Sequence, residues 1–223
     1  MPNNDIVYQL KFTPKEAYID DLLNGRLYMN AAGYYHGLPG EQGDPLEASM
    51  APGVCPYRYA CLPIYCMYTV RENDIVDGSA QIPMRMIRGF GCADGWGGIV
   101  QYDSFVRLAD RHIADDGSIY AHGPISYGVP GPKLIREIFE GIPHNLVIKT
   151  PKYVYQKEYR IIGSRPVECR LLPDENHPGC KIEKYDHAEL NLSSSLADFS
   201  WKVSVSSLEE TKGGLMLKLP HRV

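Results

Sequence analysis

No apolar stretch in this chain has the length of a membrane helix. Ala60–Met67, among the longest, is interrupted by Pro63 and falls far short of the roughly 18–20 residues a span needs. The N-terminus, Met1-Pro2-Asn3-Asn4-Asp5, has neither the basic segment nor the apolar one of a secretory signal, so the expectation is a cytoplasmic protein with no membrane partner. Positive charge is in short supply: 23 Lys and Arg against 27 Asp and Glu leave a formal net charge of −4. That disfavours a general nucleic-acid binder and leaves such a partner only a local basic site. No Cys-x-x-Cys pair occurs. Cys55, Cys61, Cys66, Cys92, Cys169 and Cys180 are too few and too irregularly spaced for a disulfide scaffold, and the gaps among the first three fit structural zinc poorly, so they read as buried free thiols. Walker A and dinucleotide fingerprints, His-Glu-x-x-His and Gly-x-Ser-x-Gly are all missing, and the 7 His are scattered singly. Phenylalanine is scarce too, with 5 Phe against 16 Tyr. A ring with a polar tip suits an aromatic-walled cleft or an interface, and it also suits strands.

What remains is an ordinary globular composition over 223 residues, enough for one buried core. Ile6 to Phe12 alternates as a strand with one buried face. Thr13-Pro14-Lys15-Glu16 reads as an N-cap, a first-turn Pro and a capping-box Glu ahead of a helix through Ile19, Leu22 and Leu23 that stops at Gly25. Arg26 to Asn30 reads as a short strand, followed by a Gly- and Pro-rich loop from Ala31 to Pro56. Tyr57–Val70 and Ile82–Phe90 read as β, as does Ile99–Tyr102 after a turn at Asp94–Gly98. Asp103 reads as the cap of a helix running through Ile113, and a second amphipathic helix is expected over Pro132–Glu140. Strands are expected again at Leu146–Lys149, Tyr153–Gly163, Val167–Leu172, Trp201–Val205 and Leu215–Leu219. The pattern predicts a single α+β domain over residues 1–223, mainly antiparallel, with about three helices. Its motif-bearing part covers about 6–163, ahead of a strand-rich extension over 164–223; the segment 172–200 reads as an insertion or a flap.

Two groups of residues could carry chemistry. In Tyr155-Gln156-Lys157-Glu158-Tyr159-Arg160, strand alternation places Gln156, Glu158 and Arg160 on one face and Tyr155, Lys157 and Tyr159 on the other. Such a face suits a cleft wall in which a cation keeps a carboxylate ionised, and equally a solvent-facing strand with an ordinary Glu–Arg pair. The second group is Tyr28-Met29-Asn30-Ala31-Ala32-Gly33-Tyr34-Tyr35-His36 with Gly43-Asp44-Pro45-Leu46-Glu47. Its glycines permit close backbone approach, and Tyr28, Tyr34 and Tyr35, near Asn30, offer flat faces for a base or nicotinamide. Asp44 and Glu47 fit ligand contact or a plain helix start, with Asp44 as N-cap and Glu47 as its third residue.

These segments, with Gly98-Ile99-Val100-Gln101-Tyr102-Asp103-Ser104-Phe105, resemble a group of uncharacterised bacterial and phage proteins. That group has an Asn-Asp-Pro-Phe-Glu-like motif early and a Glu-Lys-Glu-Trp-Arg-like motif late; this chain has Gly43 and Gln156 where Asn and Glu are usual. Gln156-x-Glu158 is also similar to the paired residues of mono-ADP-ribosyltransferases. That resemblance implies a split β-sandwich, NAD as substrate, and Glu158 as the carboxylate that stabilises an oxocarbenium-like ribose. It also implies Gln156 as orienter of the acceptor and Tyr102 in place of a missing Ser-Thr-Ser signature. For an early basic contact to NAD the chain offers Lys11, Arg26 or His36.

The expectation is therefore an NAD-dependent ADP-ribosyltransferase-like enzyme of a phage–host conflict or toxin system. Glu158, Gln156 and Arg160 form its catalytic group; Tyr28, Asn30, Tyr34, Tyr35, Asp44, Glu47 and Tyr102 contact NAD; a protein or nucleic acid is the acceptor. Two alternatives stand beside it. One is a non-catalytic binding or inhibitor protein that uses the Tyr-rich loop, and the other a metal-dependent nucleotide-acting enzyme built on Asp44, Glu47 and Glu158.

Overall fold

The computed structural model describes residues 5–38, 57–128, 146, 148–173, 181–192 and 194–220. Asp44, Glu47, most of the Tyr-rich loop and the expected helix Pro132–Glu140 lie outside them. The chain begins with β1 (Ile6–Thr13), α1 (Glu16–Leu23) and β2 (Arg26–Ala31), then α2 (Tyr57–Ala60), β3 (Pro63–Arg71), β4 (Ile75–Val76), β5 (Ser79–Pro83) and α3 (Met84–Gly89). It continues through β6 (Trp96–Gln101), α4 (Tyr102–Ala114), β7 (Ile119–Pro124), β8 (Ser126–Tyr127), β9 (Ile148–Lys149) and β10 (Glu158–Gly163). It closes with β11 (Cys169–Pro173), β12 (Lys181–Tyr185), β13 (His187–Asn191), β14 (Ser200–Ser204), β15 (Glu209–Thr211) and β16 (Gly214–Lys218). This is an α+β fold in one domain with mainly antiparallel sheets.

The main sheet has eight strands and forks at β3. Along one edge β3 pairs with β10 from Ile64 to Tyr68, and β10 in turn pairs with β7. Ile64 also pairs with Asn30 of β2, and Tyr68 also pairs with Leu10 of β1. Since β10 already occupies one edge at both residues, β1 and β2 must share the other. They hold opposite ends of that edge and leave its middle, Tyr65 to Met67, without a ladder partner among the described residues. One limb of the fork continues as β1-β6-β14 and the other as β2-β13.

Apolar burial fixes this arrangement. α1 inserts the fully buried Ile19 and Leu22 against Gly98 of β6, where a Cβ would stand 3.2 Å from Leu22 and 3.3 Å from Ile19. Leu22, Leu27, Met29, Tyr65, Met67 and Phe105 form one core, under α1 and α4. On the opposite face Tyr8, Leu10, Tyr68 and Val70 pack against Ile82, Met86 and Leu217, from β5, α3 and β16. β16 pairs with β5 in a smaller four-stranded sheet.

Several local expectations are corrected. β1 buries residues on both faces, because it is an inner strand packed on both sides. The capping box before α1 does not form: Lys15 is the N-cap, and Thr13 ends β1 with its hydroxyl donating to the Lys15 carbonyl at 2.7 Å. Gly25 does mark the exit, at φ +80°, where a Cβ would lie 2.6 Å from the Ser194 carbonyl oxygen. Residues 57–60 are a helical turn ahead of β3, and Ile82–Phe90 divides at Pro83 into a strand end and α3, whose Met86 and Ile87 are buried. Asp103 lies in the first turn of α4, where its charge favours the helix dipole, and does not cap it. The segment after 163 is no appendage, because β13 and β14 complete the two limbs of the fork.

Candidate functional site

A cleft of about 590 Å³ opens at the fork. Its floor is the middle of β3 with Glu158 and Arg160 of β10; the end of β1 and the outer face of β2 form its walls. β2 alternates between Leu27, Met29 and Ala31 in the core and Arg26, Tyr28 and Asn30 toward the cleft.

Glu158 is the centre of a buried ion cluster. Its Oε2 accepts from Lys149 Nζ at 2.9 Å, and its Oε1 accepts from Arg160 Nε. Lys149 Nζ also donates to Gln156 Oε1 at 2.9 Å, and Arg160 Nη1 donates to the Leu146 carbonyl at 2.7 Å. The side chains of Glu158, Lys149 and Arg160 are 6%, 8% and 1% exposed. Burial alone would raise the Glu158 pKa; the charges of Arg160 and Lys149, with hydrogen bonds from Arg160 and Cys66, outweigh it and hold the carboxyl far below the usual carboxylate range. The backbone supports this placement, with the Glu158 N–H donating to Tyr127 Oη at 2.7 Å and its carbonyl accepting from the Ile125 N–H at 2.8 Å.

Gln156 reaches the cluster by a different route from the expected one. The strand does not begin at Tyr153: residues 151–156 form a 3₁₀ turn opened by Pro151, and Lys157 sits at φ 39°, in the left-handed region. The strand starts only at Glu158, so Gln156 comes from the turn and meets Glu158 through Lys149. On the opposite side of the cluster, Cys66 pairs in register with Arg160. Burial, then the Glu158 charge, pushes its thiol up to about 12, so it donates a hydrogen bond and is not a ready thiolate.

The expected aromatic residues also reach the cleft. Tyr28, 45% exposed, lies between Tyr18 and His187, with ring centroids 6.4 and 4.4 Å away and interplanar angles of 23° and 22°. Tyr34 meets Tyr35 edge-on at 5.5 Å. Burial raises the Tyr35 pKa well above that of a free phenol, and Asn30 hydrogen-bonds its side chain. Tyr185 of β12 is seated against Gly33, where a Cβ would come within 2.4 Å of its ring.

Tyr102 does not join them. It opens α4 on the other side of the sheet and packs edge-on against Tyr159 at 5.8 Å, 8% exposed, so the NAD-contacting role expected of it has no geometric basis. Residues that sequence reasoning left without a role complete the cleft: Lys149, Cys66, Tyr185, His187 and, offered only as one of three basic options, Lys11. They converge from separate parts of the chain, which no local spacing signals. Among the described residues, no group of three or more His, Cys, Asp or Glu is placed to hold a metal ion, and no helix is long and apolar enough to cross a membrane.

Among the described residues, four cations, Lys11, Arg26, Lys149 and Arg160, line the cleft against two carboxylates, Asp21 and Glu158. With its tyrosines, this suits an anionic ligand that carries flat rings. Comparison of the chain with protein-family models, with curated proteins and with solved structures finds no match.

Proposed function

We propose that the protein is an NAD-dependent ADP-ribosyltransferase-like enzyme whose site is the forked-sheet cleft. The observation that carries this reading is a carboxylate, Glu158, held far below the usual carboxylate range at the floor of a cationic cleft walled by tyrosines. NAD brings two rings for the tyrosines and a pyrophosphate for the cations. When the nicotinamide–ribose bond breaks, nicotinamide leaves with the bonding electron pair and the ribose becomes oxocarbenium-like. The fixed negative charge of Glu158 stabilises that cation, and an acceptor nucleophile then forms the new bond to the anomeric carbon. In this reading Gln156, whose side-chain oxygen accepts from Lys149, orients the acceptor.

A second reading has its own observation. Glu158 spends an oxygen on each of two cations, the arrangement of an architectural ion cluster, and that favours a non-catalytic protein that binds its ligand without cleaving it.

Adenine-labelled NAD separates the two. The enzyme reading expects wild type to release nicotinamide and to transfer label to lysate protein or nucleic acid, Glu158→Gln to do neither, and Gln156→Ala to release nicotinamide while losing transfer. Circular dichroism of each variant checks that the fold survives. A wild-type protein that binds NAD and leaves it intact establishes the binding reading.

A further inference from the structure

Several side chains in the cleft belong to nucleophilic types, and their surroundings divide them. Cys66 and Cys92 both line it, and burial pushes their thiols up to about 12 and about 11, so both stay protonated. Lys149 pairs with Glu158 at 2.9 Å, which favours its ammonium form. Lys11 differs from all three. It is half-buried on the cleft wall, and among the described residues it has no carboxylate within ion-pair distance. Its Nζ donates to the Cys66 carbonyl at 2.8 Å and stands 4.5 Å from the centre of the Tyr65 ring. A bond to a neutral oxygen needs only one N–H, which a free amine also has, so Lys11 is positioned without being fixed as an ammonium. Burial lowers its pKa, and the opposing charges of Cys66, Glu158 and Cys92 do not cancel that effect. The desolvation that silences the thiols therefore moves this amine toward its reactive form.

We infer that Lys11 is an amine nucleophile and that the cleft takes an aldehyde or ketone, which condenses with Lys11 Nζ to an imine. The Nζ lone pair forms the bond to the carbonyl carbon, and the π pair of the C=O goes to oxygen. That oxygen leaves as water with one proton from the amine and one from solvent, while nitrogen closes its second bond to carbon. The protonated imine keeps one N–H, and the Cys66 carbonyl stands where it accepts that proton now. No oxidant or reductant is consumed. The cleft, about 590 Å³, has room beside Lys11 for a small carbonyl compound, and its tyrosines suit one that carries a flat ring. The inference goes beyond the transferase reading and requires neither NAD nor its cleavage.

The test is reductive trapping on the full chain. Wild type is incubated at neutral pH with 4-formylbenzoate, a flat aldehyde, or with pyruvate, a ketone, in the presence of cyanoborohydride. The hydride adds to the imine carbon and leaves a stable secondary amine, which peptide mass mapping assigns to a lysine. Lys11 is expected to be modified about tenfold or more faster than the exposed Lys152 and Lys184, with 4-formylbenzoate at least. Trapping of both probes at Lys11 extends the site to ketones, and trapping of 4-formylbenzoate alone restricts it to aldehydes. Modification of Lys11 no faster than that of Lys152 and Lys184 overturns the inference, whether or not any variant folds. Lys11→Arg, which keeps the charge and removes the primary amine, supplies the second arm. It is expected to lose the fast-forming adduct from its intact mass, and an undiminished fast adduct in Lys11→Arg also overturns the inference.

Discussion

Strand β10 presents Glu158 and Arg160 to one side of the sheet and Tyr159 to the other, and the two sides differ in what they leave open. On the far side the Tyr159 hydroxyl and His122 Nδ1 lie 2.6 Å apart, His122 Nε2 and Asp110 Oδ1 lie 2.9 Å apart, and Tyr102 covers the Tyr159 ring. α4 and β7 close over this network. On the near side an equally polar set faces a cleft of about 590 Å³, because β1 and β2 separate along β3. Polar groups within one strand thus serve packing where helices cover the sheet and line an open cleft where the sheet forks. Burial by itself does not tell the two apart, for Glu158 is 6% exposed and Tyr159 1%.

The comparison breaks most sharply at Glu158. Glu158→Gln leaves Arg160 and Lys149 buried without their anion and is expected to cost about 3–5 kcal/mol in urea unfolding. Acid should act on the same side. The folded-state pKa of Glu158 is depressed, so its contribution is complete above the unfolded value of about 4.3 and is lost as pH falls from there toward the folded value. Tyr159 has the opposite sign: burial, with Tyr102 beside it, raises its pKa, so its contribution holds below about 10 and is lost as pH rises beyond. Stability measured against pH should lose part of its acid limb in Glu158→Gln and part of its alkaline limb in Tyr159→Phe.

Tyr28→Ala comes next. Removing the middle ring of the Tyr18–Tyr28–His187 stack is expected to cost about 1–3 kcal/mol of ring-bearing ligand affinity, read by titration with NAD or AMP, with little change in the melting temperature. Tyr159→Phe is smaller, about 1 kcal/mol of stability from the lost hydroxyl bond to His122, and nucleotide affinity should stay unchanged. The smallest effect is expected at Lys157→Gly. It relieves a left-handed residue but removes an ion pair with Asp74, so the net change should lie within about 1 kcal/mol of zero in denaturant unfolding.

Part of this was legible in the sequence. The alternation of Glu158 with Tyr159 and Arg160 assigns the two faces of β10, and the spacing of Ile19 and Leu22 with Gly25 beyond them places α1. The turn that carries Gln156 was hidden because its left-handed residue is Lys157, where a glycine would have signalled it. Tyr102 looked available because sequence does not say which side of the sheet a helix start will face. The fork is a matter of register among β1, β2 and β3, and the partners of Glu158 other than Arg160, namely Lys149 and Cys66, come from segments with no shared local pattern, so neither could be read from spacing alone.

The most direct test of the account is an amide NMR titration of the ¹⁵N-labelled wild-type protein with NAD. The account predicts that shift changes concentrate on Lys11, Tyr28, Cys66, Glu158 and Arg160 around the fork and spare Tyr102, Asp110 and His122. Saturating NAD that moves no resonance at the fork, or moves chiefly those of α4 and β7, contradicts it.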